Sequence, residues 1–136
     1  MAVFQLSSCG FDSENRNESV TQNEIGNISL IDTDTLLPGS ATNVFIVERH
    51  FQDTIQFVRF DADSSEAEAF SRKFLEGRSP VLGEDPHLPD LKADWWIKSF
   101  PKGARGGRVD KVHLTRLLVL LDKGSKSRVW IRLSNS

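Results

Sequence analysis

Hydrophobic and polar positions alternate most regularly near the end of the chain. Over residues 128–133, Val129, Ile131 and Leu133 fall on one side of an extended backbone, and Arg128, Trp130 and Arg132 on the other. The run before it, residues 112–121, is richer in apolar side chains, and a polar stretch at 122–127 holds Gly124 at its centre. Together these predict a hairpin. Residues 54–61 (TIQFVRFD) predict another strand. Residues 44–51 precede it, with Gln52 and Asp53 to turn the chain. That earlier segment also places Val44, Val47 and Phe51 on one helical face, but the neighbouring strand favours strand pairing. Residues 25–31 predict a short strand, and residues 32–40 a connector turning at Pro38-Gly39.

The period changes at residues 63–76. Ala67, Phe70 and Phe74 recur at helical spacing, Asp63 and Glu66 have the spacing of a capping box, and Glu68 and Arg72 are an i, i+4 pair. Acidic residues open the segment and Arg72 and Lys73 close it, as the helix dipole favours. Gly77 is expected to supply the left-handed residue that ends the helix. Residues 78–109 then carry Pro80, Pro86, Pro89 and Pro101 with Gly83, Gly103, Gly106 and Gly107. Regular structure there is expected to be scarce, apart from a helical turn near residues 94–100. A loop of that length inside one domain is either functional or pinned by buried anchors.

The predicted fold class is α+β: a single antiparallel sheet of four to six strands, one main helix (about 63–76) packed on one face, and a long Pro/Gly-rich loop (78–109) nearby. Residues 25–136 form one globular domain. Residues 1–24 are expected to be a flexible tether, because residues 12–24 offer almost no apolar surface to offset ordering. The length of 136 residues suits a single core, and the longest apolar run, residues 117–121, is strand-sized rather than membrane-sized.

Cys9 is the only cysteine, which excludes an intrachain disulfide and a cysteine metal site. Its context, Leu6-Ser7-Ser8-Cys9, resembles the cleavage box of a bacterial lipoprotein. The basic leader and the apolar stretch of a signal peptide are missing. Two readings stand: a small thiol on an edge strand of a cytoplasmic protein, or a lipidation candidate on a cell-envelope protein. In the second, lipid on Cys9 is the only link to a membrane.

Charge divides the chain. Residues 1–90 hold six Lys/Arg against sixteen Asp/Glu, while residues 91–136 hold eleven against three. The basic stretch is too short to be a domain, so it shares a core with the acidic part, and pairing between the two is the favoured account. The rival account is an exposed basic face that attracts an anion.

Three groups are candidates for binding. Arg128, Trp130 and Arg132 would present an indole between two guanidinium groups, suited to a planar anionic ligand. The blander alternative, and the favoured one, covers Trp130 with the loop and pairs the arginines with carboxylates. Trp95 and Trp96 are adjacent, so at most one points squarely into the core. Anchoring the loop is their commonest role. Lys102 and Arg105 belong to KGARGGR, where Gly103, Gly106 and Gly107 either form an anion nest or let a tight loop approach the sheet. The second is expected.

Catalytic signals are thin. His50, His87 and His113 lack metal-ligand spacing, no nucleophile elbow occurs, and Glu84-Asp85-Pro86-His87 reads first as solvated turn chemistry. No catalytic residue, metal or cofactor is expected. The functional expectation is a small non-catalytic binding module for a protein or small anionic ligand. The alternatives are a nucleic-acid or polyanion binder using the basic C-terminal third, and an enzyme with a loop-borne site.

Overall fold

The computed structural model describes residues 3–5, 15–19, 30, 36–50 and 52–135. Strand β3 (Thr42–His50) and β4 (Thr54–Asp63) form the first hairpin, followed by helix α1 (Ser64–Phe74) and the two-residue strand β5 (Val81–Leu82). Strands β6 (Arg105–Lys111), β7 (Leu114–Lys123) and β8 (Lys126–Asn135) complete an antiparallel sheet with one helix, the α+β arrangement predicted. Two short strands, β1 (Val3–Gln5) and β2 (Asn15–Ser19), extend it beyond β3, giving the order β1-β2-β3-β4-β8-β7-β6-β5. The five residues of β2 thus lie within the segment read as a tether. Most of that segment, and most of the strand expected at 25–31, lies outside the described residues. Leu30, from the latter, is buried.

The sheet consists of two meanders joined at their last strands. Ten register pairs, from Thr54↔Asn135 to Asp63↔Lys126, form the β4–β8 seam. Helix α1 leaves β4 at the centre of the sheet and carries the chain toward the β5 edge. One face lies under this helix. There Val58, Phe60, Leu118, Leu120, Val129, Ile131 and Leu133 pack with Ala67, Phe70 and Phe74. The rings of Phe70 and Phe74 stack at 5.7 Å, and Phe60 meets Phe70 edge-on at 5.1 Å. The opposite face is covered by the loop 83–104.

The helix ends differ from expectation in detail. Asp63 stands at the N-cap without a side-chain bond to the helix. Register places it opposite Lys126, whose Nζ donates to its carboxylate at 2.8 Å, so the nearby ammonium draws the group away. Glu66 accepts from the Ser40 backbone N–H instead of folding back. At the C-terminus the Gly77 N–H donates to the Arg72 carbonyl at 2.7 Å and the Glu76 N–H to the Lys73 carbonyl at 3.1 Å. This is a Schellman motif in which Glu76 takes the left-handed C′ position at φ 56° and Gly77, one residue later than expected, follows with a positive φ of 94°. Glu76 reaches Lys111 at 2.7 Å and Arg116 at 3.6 Å, contacts that favour an otherwise unfavourable backbone.

The segment 105–109, expected to belong to the loop, is the start of β6. Gly106 and Gly107 lie inside this strand, not in an anion nest. A Cβ at Gly106 would collide with the Glu84 carbonyl and approach Pro86 Cδ to 2.9 Å, and one at Gly107 would meet Leu75 Cδ1 at 2.7 Å. The glycines let loop and helix end lie directly on the strand, from opposite sides.

Candidate functional site

Alternation along β3, β4, β7 and β8 fixes what the loop face contains. The residues between the helix-facing ones are Phe45, Val47 and Arg49; Phe57, Arg59 and Asp61; Leu117, Val119 and Leu121; and Arg128, Trp130 and Arg132. Register sets Arg59 between Phe45 and Trp130, and Phe57 between Val47 and Arg132. An apolar face interrupted by guanidinium groups needs a cover that tolerates charge, and aromatic rings provide one.

The loop supplies those rings. Trp95 stacks on Phe45 at 5.6 Å, and Trp96 meets Phe57 edge-on at 5.1 Å. The Trp96 indole N–H donates to the Pro89 carbonyl at 2.9 Å, which fixes the loop to itself. No helix forms at 94–100; a single turn from the Trp96 N–H to the Ala93 carbonyl replaces it. Trp96 is buried and Trp95 half-buried. Arg59 lies 4.9 Å from the Phe45 ring centre and donates to the Trp95 carbonyl at 3.4 Å. Arg49 and Arg132 both contact the Phe57 ring, at 5.6 and 5.9 Å.

Charge on this face is only partly balanced. Arg128 makes a bidentate pair with Asp61 at 2.7 and 3.0 Å, and Asn43 adds a third bond to the carboxylate at 2.9 Å. Burial pushes the Asp61 pKa up, but these hydrogen bonds outweigh it and hold the group below the ordinary carboxylate range. The same bond raises Arg128. Burial lowers the pKa of Arg59, helped by the charge of Arg128. Burial alone lowers that of Arg132. Among the described residues the Arg132 guanidinium donates only to Ser134 Oγ, at 3.2 Å. The Nε atoms of Arg59 and Arg132 and the Trp130 indole nitrogen are buried and find no hydrogen-bond partner among the described residues. Each such group costs about 1–3 kcal/mol.

Beside Arg49 the layer opens into a cleft of about 590 Å³ lined by Arg49, Asp90, Leu91, Lys92, Ile97 and Lys98. Three cations face one carboxylate there, with Arg132 on the far side of Phe57. Among the described residues no ion pair engages Arg49, Lys92, Lys98 or Arg132. Elsewhere the two halves of the sequence pair across the fold: Arg105 with Glu68, Lys111 with Glu76, Lys126 with Asp63 and Arg128 with Asp61. The pairing account therefore describes much of the basic third and reaches the loop face at Arg128, but does not extend to Lys92, Lys98 or Arg132.

The residues singled out in the sequence distribute accordingly. Trp95, Trp96, Arg128, Trp130 and Arg132 come together on one face. Trp130 is buried between the sheet and the loop, so it presents no open ring. Arg105 projects to the helix face, bonded to Glu68 at 2.8 Å and Asp122 at 3.3 Å. Lys102 sits exposed in the turn before β6. Cys9 lies outside the described residues. Arg49, Arg59, Lys92 and Lys98 were missed. For Arg59 the signal was present, because the alternation of residues 54–61 sets Phe57 and Arg59 opposite Val58 and Phe60. No group of three or more His, Cys, Asp or Glu side chains among the described residues could hold a metal. No described helix is long and apolar enough to cross a membrane. Comparison with protein-family models, curated proteins and solved structures finds no match for the chain.

Proposed function

We propose that this protein is a non-catalytic binding module and that its ligand is a small anion held at the loop face. The observation that carries this reading is the cleft where Arg49, Lys92 and Lys98 face a single carboxylate, Asp90. Cations in excess of carboxylates beside the low-dielectric side chains of Leu91 and Ile97 generate a positive potential. Ring contacts hold the Arg49 and Arg132 side chains in place, so a bound phosphate or carboxylate would meet partly ordered donors. A nucleic-acid ligand is less well supported. Base stacking needs an open ring, and Trp96 and Trp130 are both covered. Lipid on Cys9 would set where such a module works without altering this site.

The test is calorimetric titration with tripolyphosphate and, separately, with single-stranded DNA at low and moderate salt. Tripolyphosphate is expected to bind, to weaken as salt rises, and to lose roughly tenfold or more in affinity in Arg49→Ala/Lys98→Ala. Absence of binding at low salt, or binding indifferent to those substitutions, refutes the reading. DNA binding that far exceeds tripolyphosphate binding would move the assignment to the nucleic-acid alternative.

A further inference from the structure

Val81, Leu82 and Val112 are 52%, 69% and 87% exposed, and all three lie along one edge of the sheet. Strand β5 pairs with β6 only at Val81↔Gly106 and Leu82↔Arg105. Among the described residues, the outer side of β6 from Gly107 to Lys111 therefore carries no strand. The Arg108 carbonyl points outward there, accepting from Arg78 Nη2 at 2.6 Å with one lone pair still open. Alternation turns the backbone groups of Asp110 outward as well. An edge with open backbone groups and apolar side chains at both ends is a template for another strand.

We infer that this edge is the interface of a homodimer, in which two β6 strands pair antiparallel about a two-fold axis at Val109. The sequence of the edge selects that axis. With Val109 opposite itself, Arg108 faces the partner's Asp110 and Asp110 faces the partner's Arg108. Both side chains project to the loop face, where Arg108 now grips Asp110 of its own chain at 2.7 and 2.9 Å. An axis at Arg108 or at Asp110 would set like charges against each other. The outward backbone groups of residues 108 and 110 then meet those of the partner, and Gly107 pairs with the partner's Lys111.

The apolar residues follow from the same register. Strand pairing ends at Gly107, because Gly106 is already paired with Val81 of β5, and the hairpin tip carries the partner's Val112 past the end of the pairing toward β5. A cleft of about 310 Å³ lies at that point, lined by Leu75, Val81, Gly106 and Gly107 among others. The valine at each hairpin tip thus enters the cleft of the other copy and covers Val81. A two-fold interface must be self-complementary, and this edge is so in backbone, charge and shape.

Sedimentation velocity on the full chain, in reductant to silence Cys9, tests this across micromolar to millimolar concentration. A reversible dimer is expected. Arg108→Asp and Asp110→Arg should each weaken it roughly tenfold or more, and the double variant should restore it. Val112→Asp should weaken it similarly with circular dichroism unchanged, and with the thermal midpoint unchanged at concentrations where the parent is monomeric, since that side chain is 87% exposed. A monomer at every concentration, a dimer indifferent to the single substitutions, or weakening that the double variant does not reverse would overturn the inference.

Discussion

On the helix face, Val58, Phe60, Val129, Ile131 and Leu133 meet Phe70 and Phe74 of a regular amphipathic helix. On the loop face the intervening residues of the same strands are Phe57, Arg59, Trp130 and Arg132, met by Trp95, Trp96 and a loop without regular structure. Both faces are closed, but among the described residues the helix face buries a single guanidinium, Arg116, which donates to the Phe74 carbonyl. The loop face holds two guanidinium groups and an indole with buried nitrogens that find no partner among the described residues. Buried guanidinium and indole nitrogens without partners reduce stability. Such groups are expected where a surface is shaped for something other than its own cohesion. The contrast separates the face that holds the fold from the face where the proposed ligand would bind.

Substitutions can break that contrast in a defined order. Phe74→Ala removes a fully buried ring on the helix face and should cost about 3–5 kcal/mol in urea unfolding. A near-neutral result would mean that the helix face does not carry the fold. Arg128→Ala on the loop face should cost about 1–3 kcal/mol, because it strips Asp61 of its bidentate partner.

That pair also sets an acid dependence. The Asp61 pKa is lower in the folded chain than in the unfolded one, near 3.9. Its contribution is therefore complete above that value and is lost as pH falls through the folded-state pKa. The stability gap between the parent protein and Arg128→Ala should accordingly narrow below about pH 4. A gap that stays constant down to strong acid would remove Asp61 from the account.

The smallest effect should have the opposite sign. Arg132→Met replaces a half-buried guanidinium with an apolar chain of similar length. It should leave stability unchanged or raise it by up to about 1 kcal/mol, while weakening tripolyphosphate binding. Clear destabilisation would show that Arg132 belongs to the fold rather than to the ligand site.

Much of the helix face could be read in the sequence because periodicity reports burial. Phe70 and Phe74 at helical spacing, and Val129, Ile131 and Leu133 at strand spacing, each point to one side of an element. Strand β6 could not be read this way. Its Gly106 and Gly107 have no side chain to show a period, and they are glycines because Pro86 and Leu75 press onto the backbone from elsewhere in the chain. Arg105 was read with Lys102 as part of a glycine-rich loop, yet it lies in β6, where register with Leu120 sets it on the helix face. The loop-face cleft joins Arg49 of β3 to Lys92 and Lys98 of the loop, a meeting that no local pattern records. Local rules reach the parts whose neighbours are close in sequence.

The β4–β8 seam has a kinetic consequence. Its partners are 63 to 81 residues apart along the chain, from Asp63↔Lys126 to Thr54↔Asn135. Closing so large a loop costs entropy before the seam returns any contact, so this step should limit the folding rate. The β3–β4 and β7–β8 hairpins can form early from neighbouring residues. During synthesis the edge of β4 that β8 will pair stays open until β8 emerges, a sheet opened down its middle rather than at its rim. Over that interval the nascent chain exposes the strand with the greatest capacity to pair wrongly.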